Sequence, residues 1–517
     1  MTHLTPNLYA ADYPGFIVPY SDIDAERRFL RITSHTERKR IGALEPQTQD
    51  PLVSPIHRLP VELLMDIFLA AVDIGERLGT YEERCERRTA LHLAAVCVNW
   101  RQVAVLHAPK MWTSLLSVST EEPSTKPAIH RARTLLMRSS PLPVSIFVWG
   151  NFGFGRTIRC TIFDIVLAVT DRLCFLSLNY NFDILAHMPS GFLPTLPLLQ
   201  TLHMQSGAQR NNHAAGSNIF LSAPQLRSAI AATSHLEKLP LPYAQLTTLE
   251  LRHHRTLDES LVSVLSQCRA LLRLKLWLNV ASDAAAAGAQ SYPSRTTLPA
   301  LSSFTLVGTA NHRSRHAHFL SLAPFFAHFT APRLRALSVH GTAASESSAC
   351  VLGAAFPKFL RRIAALEELS LSECTMSTPG ELQDILAAVP EVRALTVSAC
   401  PGAIDEAFYA RFVDGGAPAL PRLRELSIAG LGVACSEEVL DAVIRSRWWV
   451  DSDSDAEEEE ERGVARWERV EITEEREEEE GDCDEEEDDE SGGRASEGFL
   501  QMIERLREEG LKLAVSL

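Results

Sequence analysis

One leucine pattern, L-x-x-L-x-L, returns along most of this chain and limits its fold more than any other feature. It reads Leu173/Leu176/Leu178, Leu246/Leu249/Leu251 and Leu271/Leu274/Leu276. It continues as Leu301/Phe304/Leu306, Leu334/Leu337/Val339, Leu366/Leu369/Leu371, Val392/Leu395/Val397, Leu423/Leu426/Ile428 and Trp467/Val470/Ile472. Leu199/Leu202/Met204 fits fairly and the unit at Leu226 poorly. The last two positions of each run are two residues apart, so on a strand both side chains leave the same face. Successive starts lie 20 to 44 residues apart, and helix-patterned stretches such as DESLVSVLSQC, GELQDILAAV and SEEVLDAVIRS fill the gaps. The expected class is therefore α/β, with parallel strands on a concave side and helices on the convex side. About ten to twelve strands at ~4.8 Å spacing would give a sheet on the order of 50 Å long.

Residues flanking the inward leucines point to the open face. They include Thr248/Glu250/Arg252, Arg273/Lys275/Trp277 and Ala336/Ser338/His340, while later units offer mostly Ser, Thr and Ala. Arg252, Arg273, Lys275, Trp277 and His340 are thus the candidate substrate-binding residues. Arg273, Lys275 and Trp277 form the one concentrated patch, of a kind enriched at binding hot spots; the alternative is that Trp277 packs under a neighbouring loop. Cys374 and Cys400 fall where the repeat wants a small side chain that satisfies turn backbone, which favours a structural role.

The net charge of −16 is misleading until it is located. Residues 451–490 hold 24 acidic and four basic residues, a local −20, so the remainder carries +4. Such runs cannot pack, and they read as acidic disordered insertions at 451–462 and 474–496. They would repel phosphate, which argues against nucleic acid as a partner. No apolar run approaches the ~18 residues of a membrane span, and the N-terminal residues lack a secretory pattern. The ten cysteines are scattered without a CxxC pair. Reduced thiols and a cytoplasmic or nuclear location follow as expectations.

A different pattern precedes the repeats. Pro60 suits a helix start, and Leu63, Leu64, Ile67, Phe68, Ala71 and Val72 then form one apolar stripe. After a charged stretch at 76–88, Leu93, Val96, Cys97, Trp100 and Val103 predict a second helix. Pro109 breaks it, and Trp112 follows. LPVELLMDIF, AAVCVNWRQVA and KMWTSL together resemble the F-box, especially its fungal form, over about residues 55–117. ARTLLMRSSPLPVSIFV resembles the stretch that often follows the box in fungal members, and the strand–helix units resemble the leucine-rich-repeat family.

The resemblance implies that the box binds a Skp-type adaptor and, through it, a cullin–RING ubiquitin ligase. Carried over by position, the adaptor-binding residues would be Leu59, Pro60, Leu63, Leu64, Ile67, Phe68, Val96, Cys97, Trp100, Val103 and Trp112. Core and interface roles remain equally open for Leu64, Cys97 and Trp100. The charged insertion at 73–88 departs from the family pattern and leaves the mutual placing of the two helices open.

Catalytic patterns are missing: there is no P-loop, HExxH or GxSxG. His312, His316 and His318 have spacings that fit a metal, but neighbouring arginines would repel it. No cofactor and no metal are expected. The organisation expected is an N-terminal arm (1–54), an F-box domain (55–117), a connector (118–150) and a leucine-rich-repeat domain (151–517). The favoured function is a non-catalytic substrate-recognition subunit of a ubiquitin ligase. The alternative is a leucine-rich scaffold whose F-box-like hairpin caps the array.

Overall fold

In a computed structural model the described residues are 55–77, 89–113, 116–119, 125–149, 165–179, 195–205, 218–232, 240–254, 259–280, 295–310, 319–342, 349–376, 378, 380–413, 420–430, 436–448, 464–473 and 496–516. The expected N-terminal arm, both acidic insertions except Ser496, and the His312–His318 cluster lie outside them. The chain divides into two units. One comprises Met1–Gln200 and Ser222–Gln225, the other Thr201–Leu221 and Leu226–Leu517.

The first unit opens with helix α1 (Val61–Arg77), whose first turn closes with Leu64 N–H donating to the Pro60 carbonyl at 3.1 Å. The expected single second helix is two: α2 (Thr89–Val96) and α3 (Val98–Gln102). Cys97 breaks it, because its extended backbone (φ −156°, ψ 172°) lets its sulfur accept from Trp100 N–H and cap α3. A π turn (Val103–His107) and a 3-10 turn (Pro109–Trp112) follow. Strands β1 (Leu116–Ser119), β2 (Val144–Trp149) and β3 (Leu173–Asn179) then pair in parallel, with α4 (Thr125–Arg138) between the first two. Parallel pairing therefore begins inside the stretch read as box and connector. Its first two strands were hidden because neither Leu116–Ser119 nor Val144–Trp149 carries the full leucine template.

Among the described residues, the second unit contributes eleven parallel strands to the main sheet, in chain order. They are β4 (Thr201–Gln205), β5 (Ser228–Ala232), β6 (Thr248–His254), β7 (Arg273–Val280), β8 (Ser303–Ala310), β9 (Ala336–Thr342), β10 (Glu368–Ser372), β11 (Ala394–Ser398), β12 (Glu425–Ala429), β13 (Arg469–Thr473) and β14 (Lys512–Ser516). The template leucines lie in exact step across them: Leu337 opposes Leu369, Leu369 opposes Leu395, and Leu395 opposes Leu426. All are buried, each worth roughly 1.5–3 kcal/mol of transfer free energy. The poorly matching unit at Leu226 forms a full strand, because Ala229 and Ala231 fill the inward positions.

Helices α5 (Glu259–Gln267), α6 (Ala323–His328), α7 (Ala355–Leu360), α8 (Glu381–Ala387), α9 (Glu406–Val413), α10 (Glu437–Ser446) and α11 (Glu497–Glu508) connect the strands. Phe304 on β8 stacks on Phe325 of α6 at 5.5 Å, so the leucine face is the helix-covered face. Phe326 reaches Phe356 and Phe359 of α7 at 4.6 and 5.2 Å, joining neighbouring units. A second sheet of three short strands (Phe319–Ser321, Ala349–Val351, Cys374–Thr375) stands where only helices were expected.

The strand exits repeat one device. Glu373 (φ 53°), Ala399 (φ 48°) and Gly430 (φ 127°) take left-handed backbone directly after β10, β11 and β12. Each N–H then donates to the neighbouring strand's last carbonyl, on Ser398, Ala429 and Thr473. Cys374 and Cys400 come next, and their thiols donate back to Ser372 O and Ser398 O, each at 3.3 Å. Hydrogen bonding with Cys350, then burial, raises the Cys374 thiol against the opposing bond with Cys400, while hydrogen bonding with Cys374, then burial, raises that of Cys400. These are structural thiols.

Candidate functional sites

The helical hairpin sorts its apolar side chains into two sets. Leu64, Phe68, Val103 and Trp112 are buried to 1% exposure or less. The Phe68 ring meets Trp100 at 4.9 Å. Trp112 donates through Nε1 to Ala104 O at 2.8 Å and carries the Arg138 guanidinium over its ring at 5.0 Å. These four residues form the hairpin's core, where their side chains leave almost no surface exposed.

The second set faces outward. Leu63 and Ile67 are 49% and 45% exposed, and Val96 and Val98 are 61% and 52% exposed. Leu63 and Ile67 are four residues apart on α1, hence neighbours on one helix face. Val96 and Val98 flank the break at Cys97, which turns both away from the core. Pro60 is exposed, while Leu59, Cys97 and Trp100 are half-buried. Val98 was not among the expected residues; its apolar character beside a capping cysteine was the available signal. These four account for half of the eight exposed large apolar side chains among the described residues.

On the repeat unit, the register assembles the open face. Its middle row runs His203, Ile230, Glu250, Lys275, Thr305 and Ser338. One row above lie Trp277, Val307 and His340, and one row below lie Thr248, Arg273, Ser303 and Ala336. Arg273, Lys275 and Trp277 therefore share this face. Lys275 Nζ sits 4.9 Å above the Trp277 ring. Trp277 is half-buried, and its covered indole N–H meets no acceptor. Val307 shares that row yet is only 5% exposed.

Arg252 is held by Glu250 at 2.7 Å, a pairing the residue spacing alone did not reveal. Burial, then the neighbouring Lys275, lowers the His340 pKa, with Glu373 opposing. Burial, then Arg252, lowers that of His203, against Glu250. His203 escaped the sequence reading because its strand fits the leucine template only fairly.

Among the described residues, no three His, Cys, Asp or Glu side chains are placed to hold a metal ion. No helix of those residues is long and apolar enough to cross a membrane.

These features define a leucine-rich strand–helix repeat protein, with a helical hairpin preceding the repeats in the chain. No family model matches the chain, and no curated protein matches it. Among solved structures, a chain in the crystal structure of a TLR13–ssRNA13 complex is similar to it at 13% identity and a TM-score of 0.33. The similarity covers 65% of this chain and 36% of that one, so this chain spans little more than a third of its length.

Proposed function

We propose that this protein is a non-catalytic substrate-recognition subunit of a Skp–cullin–F-box ubiquitin ligase, working in the cytoplasm or nucleus without a cofactor. The hairpin binds the Skp-type adaptor, and the open face of the repeats binds a protein substrate. The observation that carries this reading is the exposure of Leu63, Ile67, Val96 and Val98 on a hairpin whose core is already filled by Leu64, Phe68 and Trp112. An apolar face left open on such a small helical pair gains free energy by docking a partner. It coincides with the segment that resembles an F-box. Co-expression of the intact protein with a Skp-type adaptor tests it: a stoichiometric complex on gel filtration is expected, and no binding overturns it.

The second reading, a hairpin that only caps the repeats, draws on two contacts within the first unit. Ser145 N–H at the start of β2 donates to Thr113 O at 2.9 Å, and Arg138 of α4 covers Trp112. It leaves the exposed set unused.

A further inference from the structure

We infer that the open face of β6 to β9 binds an extended protein segment of the form acidic–x–acidic–x–apolar. This rests on reading that face as the substrate-capturing surface, and it names the substrate's chemistry.

Arg273, Lys275 and Trp277 alternate on β7, so all three leave the same face at a repeat of roughly 7 Å. Among the described residues neither Arg273 nor Lys275 has a carboxylate partner, and Glu250, beside Lys275 in register, is taken up by Arg252. An extended segment has the same two-residue repeat, so carboxylates at alternate positions meet the two cations in turn. The next alternate side chain then falls on Trp277, whose ring supplies an apolar platform at small entropic cost.

Three features reinforce the choice. The hydroxyls of Ser303 and Thr305 lie one strand further, in register with Arg273 and Lys275, and add neutral donors. Lys275 also acts on His340, lowering its pKa after burial and against Glu373, so its charge reaches across this part of the face. Toward the far end of the face, Glu368 and Glu425 are exposed, so an acidic segment is drawn to β7 and repelled from β10 and β12.

Carboxylates fit better than a phosphate group. A phosphate dianion wants donors converging on one point, whereas Arg273 and Lys275 stand side by side. Two adjacent cations are also a small footprint for nucleic acid.

The test uses the intact protein without adaptor and a fluorescein-labelled heptapeptide with glutamate at its second and fourth positions and leucine at its sixth. Saturable binding is expected by fluorescence anisotropy. Arg273→Glu with Lys275→Glu should weaken it at least about tenfold, and Trp277→Ala about tenfold. Arg269→Glu, an equally exposed cation after α5, should leave it within about twofold. Circular-dichroism melts confirm that each variant folds.

The inference falls if the double reversal leaves binding unchanged, or if Arg269→Glu weakens it equally. It also falls if a phosphoserine peptide or an oligouridylate binds through these residues while the glutamate peptide does not. An adaptor that binds beside a peptide that fails would sink this inference and leave the ligase reading standing.

Discussion

Replacing Leu63 and Ile67 together by glutamine separates docking from folding in the hairpin. About half of each side chain is in water. Full burial of such a side chain is worth roughly 1.5–3 kcal/mol, so a partner covering the exposed half gains about 0.8–1.5 kcal/mol from each. The pair then supplies roughly 1.5–3 kcal/mol, or about 10- to 150-fold in Kd. Glutamine has nearly the helix propensity of leucine and keeps the methylene stem against the hairpin. Folding should therefore change by no more than about 1 kcal/mol. Leu64→Ala and Phe68→Ala remove fully buried groups and should cost about 2–5 and 3–5 kcal/mol. Calorimetric titration with the adaptor reads the first quantity, and hydrogen exchange of the α1 amides in the intact chain reads the second. Adaptor affinity unchanged in the double variant would refute the reasoning, as would opening of α1 to the extent seen in Leu64→Ala.

Trp112→Phe should cost about 0.5–1.5 kcal/mol through loss of the bond to Ala104 O, and Trp112→Ala about 3–5 kcal/mol, both visible as faster exchange in α2 and α3. Gly341→Ala should destabilise the repeat unit by about 1–3 kcal/mol or more in urea melts, since an added Cβ would sit 2.2 Å from the Glu373 carbonyl oxygen. Lys275→Ala should raise the His340 pKa in an NMR titration, because it removes the second cause of its lowering while burial stays. With that pKa below its unfolded value of about 6.5, the stability it contributes is present above pH 6.5 and lost as pH falls. Thermal melts should show this trend, weakened in the variant. Cys374 and Cys400 should resist alkylation at pH 8 in the native protein and react after urea unfolding, since only thiolates react and both thiols are raised.

The repeats were legible wherever bulky apolar side chains filled the inward positions. β10, β11 and β12 all appear where Leu369/Leu371, Leu395/Val397 and Leu426/Ile428 predict them. β5 was nearly missed, because Ala229 and Ala231 bury just as completely but have no leucine signature. The hairpin's helices were readable from periodicity; the break at Cys97 was not, since it depends on a thiol reaching the Trp100 amide. Nor could periodicity say which apolar residues stay outside. Leu63 and Leu64 are adjacent letters of one stripe, yet the first is half exposed and the second wholly buried.

Local alternation is a property of neighbouring residues along the chain, so the leucine-bearing strands, their inward face and the likeness to an F-box could be read from residue order. Register, pairing and exposure depend on residues far apart in the chain. Lys275 comes to stand beside Glu250 only once β6 and β7 pair, whereas the Glu250–Arg252 contact is made within β6 itself. Likewise, Leu63 and Ile67 stay open only because α1 turns Leu64 and Phe68 toward the rest of the hairpin. A linear pattern carries no information about which neighbour arrives first at a side chain; packing supplies it.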